Sequence, residues 1–297
     1  MGKTLQYKVA RLSFRIVCSG EDYERLLPSF TPFKTEVDDS EVIFTLKVDD
    51  DFRPEYKGDE IGQFDCGGNN HGVYQLKDGG YQILVSDFYQ RKCSLLQSNA
   101  DFSEAVVALN GNDMMRGFGL NNCIMMMYAF ASADKDTLLM HASVIRYEGK
   151  GYLFLGVSGT GKSTHTANWQ KYVDGCDLMN DDNPVVRFVD GQAVVFGSPW
   201  SGKTPCYRNI EAHVGGFVQL KQAPFNKIRK MEVIETFASI LPSCSVMKWD
   251  KRIYLGVCDT VNNVMEHSNT YLLENLPDEA AVRMSFNALT NGQIEGE

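Results

Sequence analysis

The chain has 297 residues, 43% hydrophobic and 23% charged, with 38 acidic against 29 basic side chains and a net charge of −9. That length and apolar content support a substantial core in two domains, and 11% aromatic residues exclude a solvated coil as the main state. An acidic balance without a Lys/Arg cluster argues against a nucleic-acid partner, and the longest apolar run, Cys123 to Ala131, is too short for a membrane span.

The opening MGKTLQ has no charged-then-apolar secretory stretch, and Gln6 stands where a myristoylation motif takes Ser or Thr. The eight cysteines (18, 66, 93, 123, 176, 206, 244 and 258) include no CxxC pair and no neighbouring histidine at zinc-ligand spacing. They predict reduced core thiols and a cytoplasmic setting. Residues 1–100 read as a small, mainly antiparallel β domain. Leu12 to Cys18 and Glu41 to Lys47 alternate apolar and polar residues, and Asp78-Gly79-Gly80 marks a hairpin between Val73–Leu76 and Tyr81–Val85. Residues 101–297 form the second domain. It opens with a helix over 102–131, interrupted near Gly111 and Gly117-Phe118-Gly119, in which Met125, Met126 and Met127 pack the core.

Beyond it, Leu138 to Tyr147 and Tyr152 to Leu155 bracket a Glu148-Gly149-Lys150-Gly151 turn, and Val185–Val189 and Ala193–Phe196 bracket Asp190-Gly191. Two late helices are predicted, Lys230 to Ile240 and Pro277 to Leu289. The second starts with Asp278 and Glu279, which suit the positive end of a helix dipole.

The strongest motif is Gly156-Val157-Ser158-Gly159-Thr160-Gly161-Lys162-Ser163, a full GxxxxGK[ST] phosphate loop between a strand and a helix-compatible stretch, Ser163 to Lys171. Its glycines let successive backbone N–H groups converge on phosphate, where the new helix aims its positive end. The predicted nucleotide contacts are Gly156, Ser158, Gly159, Thr160, Gly161, Lys162, Ser163 and Thr164. Lys162 brings a mobile charge for the terminal phosphates, and the Ser163 hydroxyl a ligand for Mg²⁺.

Asn180-Asp181-Asp182-Asn183 follows about twenty residues later. Paired aspartates allow one to face a metal and the other to accept a proton from an attacking hydroxyl. His141, predicted in the strand beside the loop, can hydrogen-bond one of them. Gly197 to Lys203 reads as a loop anchored by Trp200, with Lys203 and Arg208 as cations for phosphate or a partner's carboxylate. His71, His165, His213 and His267 read as structural or exposed.

In combination, LLMHASVI, GYLFLGVSGTGKST and LMNDDNPVV resemble the catalytic domain of the HPr kinase/phosphorylase family, which shares its core with phosphoenolpyruvate carboxykinase. The resemblance covers about residues 135–290. It implies an α/β fold of α+β character, a mixed-sheet P-loop kinase domain preceded by the β-rich domain. It also implies Mg-ATP and transfer of the γ-phosphoryl group to a serine-type hydroxyl of a protein, peptide or small molecule. Ser163 and Asp181 then form the metal set, and Asp181, Asp182, His141 and Lys162 the catalytic set. Which aspartate is the base stays open. The family's better-known members are hexamers, so homo-oligomers stay open too. The β-rich first half departs from the α/β domain of the sugar-regulating enzyme, so HPr itself is not implied as acceptor. Two alternatives remain: a carboxykinase-like enzyme and a nucleotide-sensing module without catalysis.

Overall fold

The computed structural model describes residues 2–19, 23–55, 57–65 and 70–290, which fall into two compact units, Met1–Ser132 and Ala133–Glu297. Each is built on a mixed sheet with helices, an α/β architecture. Cys66 lies outside the described residues. Among the described cysteines, Cys18, Cys93, Cys123, Cys206 and Cys244 are buried, and Cys176 and Cys258 are half-buried. No helix among the described residues is long and apolar enough to cross a membrane.

The first unit contains β1 (Lys3–Val9), β2 (Leu12–Cys18), β3 (Lys34–Thr35), β4 (Thr45–Val48), β5 (Asp59–Asp65), β6 (Asn70–Gln75), β7 (Tyr81–Ser86), β8 (Lys92–Ser98), β9 (Glu104–Leu109) and α1 (Asp113–Ala131). They pair in the order β3-β1-β2-β4-β9-β8-β7-β6-β5, antiparallel except where β4 joins β2 and β9. The expected boundary at residue 100 is therefore displaced. Residues 104–109, expected in a helix, are a strand completing this sheet, and α1 packs on β7, β8 and β9. Nor is α1 interrupted at Gly117–Gly119. Met126 and Met127 are buried in it, as expected of core methionines, whereas Met125 is half-buried. In β4 the strand starts only at Thr45, four residues later than the alternating pattern suggested.

The second unit contains β10 (Thr137–Leu139), β11 (Ala142–Tyr147), β12 (Lys150–Leu155), α2 (Lys162–Tyr172), β13 (Asp177–Asp182), β14 (Val185–Val189), β15 (Gln192–Phe196), β16 (Glu211–Gln222), β17 (Lys227–Lys230), α3 (Val233–Ile240), α4 (Lys251–Glu266), β18 (Thr270–Asn275) and α5 (Glu279–Thr290). The sheet order is β10-β14-β15-β16-β12-β11-β13, with β18 joined to β16 and β17 to β18. Both predicted hairpins form. Glu148 (φ 47°) with Gly149 (φ 74°), and Asp190 (φ 53°) with Gly191 (φ 76°), take the positive φ pair of a tight two-residue turn. The helix expected from Lys230 begins at Val233, because Lys227–Lys230 pairs with β18.

α2 and α5 cover one face of this sheet. Tyr152 and Phe154 join Trp169, Val218, Leu273, Val282 and Phe286 in one cluster. Leu153 and Leu155, equally buried, alternate to the opposite side of β12, so this strand is apolar on both faces. α4 packs on β10, β14 and β15.

A buried polar knot joins α2 to α5. Ser285 Oγ accepts from Trp169 Nε1 at 2.9 Å, meets His165 Nε2 at 3.1 Å and donates to the Val282 carbonyl at 2.9 Å. Burial pulls the His165 imidazole down to about 4, so the ring is neutral at ordinary pH. Ser285→Ala should leave two buried donors without an acceptor and lower stability by about 2–4 kcal/mol. A urea denaturation midpoint unchanged from the parent chain would show that the knot contributes nothing.

Candidate functional site

The site begins with strand register. Ala142 stands opposite Leu155 of β12 on one side and Asp182 of β13 on the other. One row across three strands thus ends at the phosphate loop, at the residue after His141 and at the aspartate pair. The loop 156–161 leaves β12 and runs directly into α2. Gly159 (φ 84°) and Gly161 (φ 106°) hold backbone that L side chains rarely adopt, and a Cβ at either would meet nothing within 4 Å. Glycine is required there by conformation, not by space. As the N-cap of α2, Gly161 supplies no side-chain acceptor to the first turn. Those N–H groups and the positive end of the helix dipole are left for an anion.

Lys162 is buried, at 8% exposure. Its Nζ donates to the Gly156 carbonyl at 2.8 Å and meets His141 Nε2 at 2.9 Å. Burial pulls the ammonium below the usual lysine range, while Asp182 and Asp181 pull the other way. An ammonium has protons to give and no lone pair, so His141 Nε2 accepts and the ring proton is assigned to Nδ1. From there it is donated to Asp182 Oδ1, at 2.9 Å. His141 reaches this position because it lies in a break between β10 and β11, not inside one strand as its pattern suggested. Met140 bridges to Cys244, and the His141 N–H donates to the Ser243 carbonyl.

The two aspartates have different surroundings. Asp181 is buried. Its Oδ1 accepts from Ser163 Oγ at 3.0 Å, and its Oδ2, also buried, meets no donor among the described residues. Asp182 is half-exposed, with Oδ1 on His141 and Oδ2 accepting from Asn183 Nδ2 at 2.9 Å. Its φ of 127° is a strained conformation for a residue with a Cβ.

The loop after β15 is stapled to the same strand. The Asp181 carbonyl accepts from the Gly202 N–H at 2.6 Å and Ser201 Oγ at 2.9 Å, and Asn180 Nδ2 reaches Ser198 Oγ and the Trp200 carbonyl. Trp200, the expected anchor, is 2% exposed. Lys203 follows Gly202 and is exposed. Arg208 does not serve as a spare cation. It pairs with Asp177 at 2.9 Å and donates to the Leu178 carbonyl, sharing Asp177 with Arg146. Ser158 and Thr164 are exposed on the loop and the first turn of α2, and Thr160 is half-buried, its Oγ1 donating to the Val157 carbonyl at 2.7 Å.

Three contributors carried no role in the sequence reading. Asn183 holds Asp182, Asn180 ties β13 to the Trp200 loop, and Gln222 Nε2 donates to the Gly159 carbonyl at 3.2 Å. Asn180 and Asn183 flank the aspartates in sequence, which was the available signal.

The residues present fit Mg²⁺ with a nucleotide. An orphaned, buried carboxylate oxygen beside a serine hydroxyl at the head of α2 is an oxygen donor set suited to a hard cation. Among the described residues, no three His, Cys, Asp or Glu side chains converge into a cage. Mg²⁺ held by one carboxylate with phosphate oxygens needs none. The chain matches no protein-family model and no curated protein.

Proposed function

We propose that this chain is a Mg²⁺- and ATP-dependent kinase that phosphorylates a serine-type hydroxyl, on a core of the HPr kinase and phosphoenolpyruvate carboxykinase kind. The observation that supports the reading is the contact chain Lys162–His141–Asp182 beside the pair Ser163–Asp181, all around one phosphate loop. Bound Mg-ATP supplies the phosphoryl group and neutralises charge on the phosphate oxygens. The loop N–H groups and Lys162 hold the phosphates. Ser163 and Asp181 take the metal side, because Asp181 Oδ2 is buried next to the loop serine.

Asp182 takes the acceptor's proton. It is the more exposed of the two, and His141 and Asn183 fix its carboxylate plane while leaving lone pairs on both oxygens. The buried thiols Cys93, Cys123, Cys206 and Cys244 fit a reducing, cytoplasmic setting.

The test is calorimetry of the full chain with ATP, with and without Mg²⁺, followed by phosphate transfer to serine peptides and small alcohols. The expected result is Mg²⁺-promoted binding and a phosphoserine or phosphate-ester product. Tight binding with no transfer to any acceptor would favour a nucleotide-sensing module. Consumption of oxaloacetate with Mn²⁺ would favour a carboxykinase-like reaction.

A further inference from the structure

A phosphate loop holds a triphosphate tail but leaves open where the rest of the nucleotide lies. β12 and β16 run parallel, as do β16 and β18, with Leu155 opposite Gln219 and Gln222 opposite Asn275. Their carboxyl ends therefore share one edge of the sheet, the edge at which ligands gather in sheets with parallel neighbours. Three loops emerge there: the phosphate loop, residues 223–226 and residues 276–278.

These loops are bound to one another. Gln222 Nε2 reaches the Gly159 and Thr160 carbonyls, at 3.2 and 3.5 Å. The Ala223 N–H donates to the Asn275 carbonyl at 3.2 Å. Asn226 accepts from the Leu276 N–H at 2.7 Å and donates to Asp278 Oδ1 at 2.9 Å. Asn168 of α2 donates to the Pro277 carbonyl at 3.2 Å, six residues, or about 9 Å, along the helix from Lys162. The clamp is thus fixed at a set distance from the phosphate end.

On this rigid frame stand exposed apolar side chains: Phe225 (49%), Leu276 (39%) and, at the tip of the phosphate loop, Val157 (79%). A single exposed apolar residue needs no explanation. Three stand on loops that are hydrogen-bonded to one another beside the phosphate loop, where an apolar ligand group can be met.

We infer that residues 223–226 and 276–278 seat the base of the nucleoside triphosphate, with Phe225 as the stacking face. The inference rests on the nucleotide reading above and goes beyond it by assigning the second half of the ligand. An aromatic face on a pre-ordered loop binds a planar base by stacking, with little further ordering on association.

The experiment titrates the full chain, in Mg²⁺, with ATP and with inorganic tripolyphosphate, which carries the phosphates and no base. The parent chain is expected to bind ATP about tenfold tighter than tripolyphosphate. Phe225→Ala should lose about that factor for ATP and keep its tripolyphosphate affinity, and Phe225→Trp should hold both. Phe225 is half-exposed, so neither change threatens the fold. Parent-level ATP affinity in Phe225→Ala, with tripolyphosphate still bound, would overturn the base site alone. A parent chain that bound neither compound would remove the nucleotide reading and the base site with it.

Discussion

Lys162→Ala is expected to lower phosphoryl transfer by about 10²–10³-fold, the usual loss when one pre-positioned donor to developing charge is removed. Several observations set this size. The ammonium is buried, it is anchored by the Gly156 carbonyl on its own loop, and it lies within one histidine of the proposed base. It is therefore held at the loop mouth before any phosphate arrives, and little reorganisation is needed to turn it onto the terminal phosphates. Stability should change by no more than about 1 kcal/mol: the Gly156 carbonyl loses a buried donor, but the penalty of burying the ammonium is removed with it, and His141 is partly open to water. Lys162→Arg should not restore transfer, since a planar fork cannot occupy the position of a compact ammonium. Steady-state transfer rates and a thermal melt together check this. Near-parental turnover in Lys162→Ala would mean that the loop does not serve this chemistry.

The part of the molecule easiest to read was the part with the strictest backbone chemistry. Gly156 to Ser163 announces its turn because positive φ at Gly159 and Gly161 excludes other residues. Glu148-Gly149 and Asp190-Gly191 announce their hairpins for the same reason. The β1–β2 turn is equally tight, but Ala10 (φ 46°) and Arg11 (φ 66°) carry it, and neither residue type signals positive φ. Residues 104–109 (EAVVAL) fit a buried strand or a helix by pattern. Pairing with β4 and β8 decides for the strand. The glycines in α1 suggested a break. Gly119 instead lets the helix approach β8, where a Cβ would come within 3.0 Å of the Cys93 carbonyl and the Ser94 side chain. Tertiary packing overrode propensity there.

The candidate site shows the same division. Its residue types were legible, but their contacts were not, because strand register sets those contacts. Only the row Leu155–Ala142–Asp182 brings His141 to both Lys162 and Asp182. Arg208 illustrates the converse. A cation near a loop looked available, yet Asp177 holds it. β16, α4 and β18 drew no expectation. α4 was nevertheless legible: Asp250 caps it by accepting from the Ile253 N–H, and Ile253, Val257, Val261 and Val264 recur at helical spacing on its buried face.

Asn substitutions at the two aspartates should produce different defects, and the difference tests the division of labour between them. Asp182→Asn keeps the shape but removes the proton acceptor. It should lower turnover by about 10²–10⁴-fold with the Mg²⁺ requirement unchanged. Asp181→Asn removes charge at the buried oxygen beside Ser163 and should raise the Mg²⁺ concentration needed for half-maximal rate. At saturating Mg²⁺ it should recover more turnover than Asp182→Asn does. A Mg²⁺ titration of initial rates in both variants makes the comparison. Matching profiles would mean that the two carboxylates act as one unit.

The backbone offers an independent control. At φ 127°, Asp182→Gly relieves strain that Asp182→Ala retains, and both variants lack the carboxylate. The glycine variant should therefore be the more stable by about 1 kcal/mol. If both are inactive while only the glycine variant gains stability, then the strained backbone serves the placement of that carboxylate and not the folding of the strand.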